Sequence, residues 1–187
     1  MKFDMQGRNA LITGGSLGIG RAIAETFLRS GGNVAITARR SDVLDQTRSE
    51  LAALGRGKVV AIAGDVSKAA DCARIFKAAE AGLGQIDVLV NNAGTSQRGA
   101  FEQISDELWQ SDLDLKLFAA IRLARHALPA MKARRFGRII NILNTGAKAP
   151  PAEGAPTAVT RAAGMALTKV LAGEGAKHNV LVNALLV

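Results

Sequence analysis

"TGGSLGIG", Thr13 to Gly20, decides how this chain is read. It follows the apolar run "NALIT" (Asn9–Thr13) and opens a helical stretch at Gly18–Ser30. Gly14, Gly18 and Gly20 give a tight strand-to-helix turn its backbone freedom and keep side chains away from the helix N-terminus. Free N–H groups and the positive end of the dipole favour a phosphate there. A glycine-rich turn alone says little. Placed between the strand and helix of a βαβ unit, it reads as a pyrophosphate cradle.

The alternation continues beyond this turn. "NVAIT" (Asn33–Thr37), "KVVAIAG" (Lys58–Gly64), "IDVLVN" (Ile86–Asn91), "GRIINIL" (Gly137–Leu143) and "NVLVNALLV" (Asn179–Val187) are short apolar runs. Their continuity predicts parallel strands buried on both faces. Helical stretches lie between them, at Ser41–Leu54, Ala69–Leu83, Leu113–Ala133 and Thr157–Lys177. A smaller one covers Ser105–Asp112, where "SDEL" resembles a capping box with its acidic residue one place early. This order predicts an α/β fold, a doubly wound parallel sheet with helices on both faces. No linker or repeat divides residues 1–187, so one domain is expected. The chain stops inside the last apolar run, so a part after the sixth strand is expected to be missing.

Composition narrows the function. No apolar run approaches the ~18 residues of a membrane span, and "MKFDMQGRN" holds no signal core. Cys72 is the one cysteine, so no internal disulfide forms, and a cytoplasmic location is expected. His126 and His178 lie far apart, and no metal site is expected. The net charge is +8, but its densest group, "MKARRFGR" (Met131–Arg138), falls where a helix gives way to a strand and has no aromatic interleaving. Nucleic-acid binding is not expected.

After the second strand stands "TARRSD". Ala38 occupies the place where an NAD site carries a carboxylate for the ribose 2′-hydroxyl, and Arg39 and Arg40 follow. Arginine pairs a 2′-phosphate, and no carboxylate is there to repel it. NADP(H) is therefore expected to be preferred over NAD(H). Two solvated surface arginines are the other reading, and Asp42 suits the N-terminus of the next helix.

These residues resemble the short-chain dehydrogenase/reductase family. "TGGSLGIG" matches its cofactor loop, "GDVS" (Gly64–Ser67) the segment whose Asp meets the adenine, and "NNAG" (Asn91–Gly94) the segment after the fourth strand. "GRIINI" and "VNAL" match its fifth and sixth strands. The resemblance runs from about Arg8 to the last residue. It implies a Rossmann-type fold, a homodimer or homotetramer built on the long helices (Gly164 and the alanines around it would let two copies pack closely), and cofactor contacts. Those contacts would come from Gly14, Ser16, Leu17, Gly18, Ile19, Gly20, Arg39, Asp65, Val66, Asn91, Ala93, Gly94 and Arg161.

The catalytic places depart from the family pattern. Asn144 stands where Ser belongs. Thr157 and Arg161 stand where Tyr and Lys of Tyr-x-x-x-Lys belong. The chain contains no tyrosine. Ungapped counting puts Lys116 at the place of the family's fourth residue, an Asn; a two-residue shift gives Asp114.

Threonine is a far weaker acid than a phenol, and Arg161 stays protonated and cannot relay protons. Asn144 can still donate to a substrate oxygen. Three readings stay open at this point. One is an NADP(H)-dependent oxidoreductase whose proton comes from Lys116, Lys148, water or the substrate. The second is a catalytically silent dinucleotide-binding sensor or partner. The third is a non-redox lyase or isomerase on the same scaffold.

Overall fold

The computed structural model describes residues 4–187. Six parallel strands form one sheet in the order β3-β2-β1-β4-β5-β6: β1 (Asn9–Thr13), β2 (Asn33–Ala38), β3 (Val59–Ala63), β4 (Val88–Asn91), β5 (Gly137–Leu143) and β6 (Val180–Leu186). The chain order reverses at β1, whose neighbours are β2 and β4, and a crevice opens there beyond the strands' carboxyl ends.

The helices are α1 (Gly18–Arg29), α2 (Ser41–Ala52), α3 (Ala69–Leu83), α4 (Asp106–Leu113), α5 (Ala119–Ala133) and α6 (Thr157–Ala176). Two apolar layers hold them to the sheet. Phe27 and Leu28 of α1 and Leu44 and Leu51 of α2 pack on Ile12, Val34 and Ile36. On the opposite face Ile75 and Phe76 of α3 and Leu123 and Met131 of α5 pack on Leu11, Leu89 and Ile139, and Leu171 of α6 joins them. Alternate residues of β1 and β2 thus point into different layers, as the strand period requires. Asp42 lies in the first turn of α2, where a carboxylate complements the dipole.

Three expectations need correcting. β6 is not buried on both faces: Val180 and Val182 are buried, while Leu181 and Leu185 are 45% and 53% exposed. The layer made by α1 and α2 packs over the β1–β3 side and leaves that face of β6 open among the described residues.

Gly164 does not serve a close approach of two copies. It is buried, and a Cβ there would lie 2.9 Å from Leu143 Cδ2, so its smallness is used to seat α6 on β5.

The long helix does not start at Leu113. α4 runs into a wide π-helical turn, Asp114–Phe118, and on into α5, with Ser105 Oγ accepting from Leu108 N at the start. Such a turn inserts a residue and re-aims the side chains around it. Here it carries Lys116 inward.

Candidate active site

Two adjoining cavities, of about 580 and 460 Å³, follow the carboxyl ends of the strands. Both are floored by Gly14, Ser16, Leu17, Ala93 and Gly94. The first extends to Arg39, Arg40, Asp65 and Val66. The second extends past Gly18 and Ile19 to Asn144, Thr157 and Arg161. A third space, about 220 Å³, continues from Asn144 and Thr157 towards Arg98 and Pro151.

Close backbone approach makes the loop. Gly14 has φ +64°, and a Cβ there would stand 2.9 Å from Asn92 Nδ2 and 3.1 Å from Ala93 Cα. Thr13 Oγ1 accepts from both Asn92 N and Ala93 N at 2.9 Å. Asn92 Nδ2 donates to Thr13 O at 2.9 Å and to Gly14 O at 3.2 Å. The loops after β1 and β4 are thereby clamped together. The start of α1 has no side-chain cap and no acidic residue in its first turn, so its first N–H groups are left for an anion. Leu17 and Ile19 flank it, 55% and 48% exposed.

The other expected cofactor residues divide. Asp65 accepts from Ser67 N at 3.0 Å and Ser67 Oγ at 2.8 Å, shaping its own turn at the cavity wall. Arg39 is exposed at the cavity rim and forms no ion pair among the described residues. Gly20 lies behind the loop, where a Cβ would meet Gly14 O at 2.2 Å, so its part is to let α1 pack. Asn91 is turned into the sheet: its Nδ2 donates to Asn141 Oδ1 at 2.8 Å, and Asn141 Nδ2 donates to Thr168 Oγ1 at 2.9 Å.

At the far end of the groove the four substituted places do come together. Lys116 Nζ donates to Thr157 Oγ1 at 2.7 Å and also to Asp112 Oδ1. The side chains of Lys116 and Asp112 are 1% and 0% exposed, a buried ion pair. Thr160 Oγ1 donates to the other Asp112 oxygen at 2.6 Å. Thr157 Oγ1 also accepts from Gln97 N at 2.8 Å. Burial pushes the Lys116 ammonium below the ordinary lysine range, while Asp112 pulls in the opposite direction and Arg161 adds to the lowering. Burial likewise lowers Arg161, against Asp112. Arg161 Nη1 donates to Ile142 O at 2.8 Å, and its Nη2 lies so close to Gly94 that a Cβ there would stand 2.4 Å away. Asn144 Oδ1 is buried beside both cavities and has no hydrogen-bond partner among the described residues.

Of the two places that counting offers, Lys116 reaches Thr157 and Asp114 does not. Asp114 accepts from Arg122 Nη2 and Gln110 Nε2, both at 3.0 Å, and is absent from the lining of the groove. Lys148 is exposed on the turn after β5 and lines none of these spaces. Asp112 and Thr160 escaped sequence reasoning, and Asn92 was read only as part of "NNAG". Asp112 stands one helical turn before Lys116, and that i,i+4 spacing was the available signal.

The comparisons with known proteins agree with this architecture. The family model described as short chain dehydrogenase matches residues 8–187. This chain belongs to the short-chain dehydrogenase family. It is 34% identical over 186 residues to the uncharacterized oxidoreductase YvrD of Bacillus subtilis, covering 100% of this chain and 70% of that protein. L-sorbose reductase from Gluconobacter frateurii, solved with NADPH and L-sorbose, superposes with a TM-score of 0.95 at 36% identity, over 100% of this chain and 71% of that one. A 3-oxoacyl-[acyl-carrier protein] reductase from Brucella melitensis, solved with bound NAD, gives 0.91 at 31% identity, over 98% and 71%.

Proposed function

We propose that the protein is an oxidoreductase that reduces a carbonyl compound, prefers NADP(H) to NAD(H), and works with a proton-transfer site of its own. The observation that carries this reading is the continuous groove from Arg39 to Thr157, with the uncapped N-terminus of α1 at its middle. The residues fit a dinucleotide: the small residues Gly14, Ser16, Ala93 and Gly94 line both cavities, and the first N–H groups of α1 await an anion. When bound, the nicotinamide cofactor supplies a hydride. Gly14, Ser16, Leu17, Gly18 and Ile19 would hold the pyrophosphate of such a cofactor, Asp65 and Val66 would border its adenine, and Arg161 would donate to a ribose. Arg39 would pair a 2′-phosphate, with Ala38 placing no negative charge beside it. Relatives solved with NADPH and with NAD both exist, so the cofactor preference rests on Arg39 and Ala38.

Asn144 orients the substrate oxygen beside Thr157. The 220 Å³ space beyond them takes the rest of a small substrate. The absence of tyrosine keeps the sensor reading alive as the competing account. The protein is read as cytoplasmic; no described helix is long and apolar enough to cross a membrane. Association into a dimer or tetramer is supported by Val159 and Val170 of α6, which are themselves 51% and 58% exposed.

The test is calorimetric titration with NADPH and NADH, followed by turnover on a panel of ketones and quinones. Tighter NADPH binding with carbonyl reduction is expected. Tight binding with no turnover on any carbonyl would favour the sensor, and no binding would end the oxidoreductase reading.

A further inference from the structure

We infer that Lys116 delivers the proton of the reduction through the Thr157 hydroxyl, with Asp112 and Thr160 fixing the lysine from behind. The inference rests on the oxidoreductase reading above and gives its site a proton path.

Thr157 Oγ1 accepts two hydrogen bonds, from Gln97 N at 2.8 Å and from Lys116 Nζ at 2.7 Å. Its own hydrogen has no acceptor among the described residues, and the residue lines both the cofactor groove and the space beyond it. A hydroxyl held so donates outward, to an oxygen in the cavity. Thr157 alone is too weak an acid to give up a proton. Backed by an ammonium, it can pass one on without becoming an alkoxide.

A bound NADPH would supply the hydride to the carbonyl carbon, which would leave the C–O π pair on oxygen. That oxygen takes the Thr157 hydrogen while Oγ1 takes one from the Lys116 ammonium. The products are the alcohol, the oxidised cofactor and a neutral Lys116 amine. The amine regains its proton from water. A 360 Å³ cavity lined by Gln97, Ser111, Asp112 and Leu115 brings solvent close to the pair.

The charged groups facing Lys116 are Asp112 from α4 and Arg161 from α6. Burial and Arg161 favour the neutral amine, and Asp112 keeps the ammonium from being lost altogether. Such a group lies nearer the working pH than an ordinary lysine, as a proton donor must. Arg161, always charged, cannot take this part.

Two sets of variants test the path. Thr157→Val removes the hydroxyl at constant shape, and Thr157→Ser keeps it. Asp112→Asn with Lys116→Gln removes both charges together and keeps neutral hydrogen-bonding groups in their place. Single-turnover NADPH oxidation with a carbonyl substrate is followed against pH, in water and in D₂O, with NADPH affinity measured alongside.

Thr157→Val and the double variant are expected to be ~10²–10⁴-fold slower with NADPH affinity little changed. The double variant should also lose the high-pH limb of the profile and the solvent isotope effect. Thr157→Ser should fall less than about tenfold and keep both. Independently of turnover, the Lys116 Cε resonance in the cofactor-free protein should titrate below the ordinary value of 10.5.

Full activity in Thr157→Val, an unchanged pH profile in the double variant, or an ordinary lysine titration would overturn the path alone. NADPH binding without hydride transfer in the unmodified protein would overturn the oxidoreductase reading, and the path with it.

Discussion

Replacing Lys116 by methionine should unfold the protein far more easily than removing both members of its pair. The side chains of Lys116 and Asp112 are 1% and 0% exposed, so the variant leaves a carboxylate buried with Thr160 as its remaining hydrogen-bond donor. Breaking a buried pair from one side costs about 3–5 kcal/mol, much of it the desolvation of the charge left behind. At ~2.1 cal/mol/K of unfolding entropy per residue, 187 residues turn a loss of about 4 kcal/mol into ~10 °C of Tm. Asp112→Asn combined with Lys116→Met removes both charges and should recover most of that loss, since a neutral replacement of a buried pair is often close to neutral in stability. Circular dichroism melts at pH 7 measure all three proteins. A Lys116→Met protein melting within about 2 °C of the unmodified one would refute the buried-pair argument, because the charge would then be finding water.

Arg39→Asp should weaken NADPH by ~10–100-fold, the worth of a charge-assisted hydrogen bond, and reverse the cofactor order in calorimetry. Gly14→Ala puts a side chain at φ +64° and 3.1 Å from Ala93 Cα, so it should weaken NADPH and NADH alike, by about tenfold or more, in the same titrations. The reduction rate should fall as pH rises, because the protonated Lys116 is the donor and burial favours its neutral form; the fall begins below the ordinary lysine range. Alcohol oxidation, which needs the neutral amine, should rise over the same interval, and stopped-flow traces in both directions check the sign.

Most of the fold was legible because its signals are local. The runs "NALIT" and "GRIINIL" mark β1 and β5 to the residue, since a strand buried in a parallel sheet reads as a nearly continuous apolar run. The cofactor loop was legible because its glycines answer to backbone geometry. β6 misled for the complementary reason: an apolar run does not say which faces will be covered, and Leu181 and Leu185 look the same in sequence whether buried or exposed. Gly164 misled because smallness serves a contact within a chain as well as one between chains. At the substituted site, counting along the chain found Lys116, Asn144, Thr157 and Arg161. It did not find Asp112 or Thr160, because a buried carboxylate is defined by what folds over it. The π-helical turn that aims Lys116 at Thr157 has no periodic signature in "DLDLK", so the 2.7 Å contact between them belongs to the structure alone.

The most direct test of the account follows the hydride itself. NADPH carrying deuterium at the transferable nicotinamide position is mixed with the protein and a panel of small ketones and quinones, and the products are weighed by mass spectrometry. The account predicts an alcohol product heavier by one deuterium on the former carbonyl carbon, formed faster from NADPH than from NADH. Saturating, tight NADPH binding with no label in any product would contradict it.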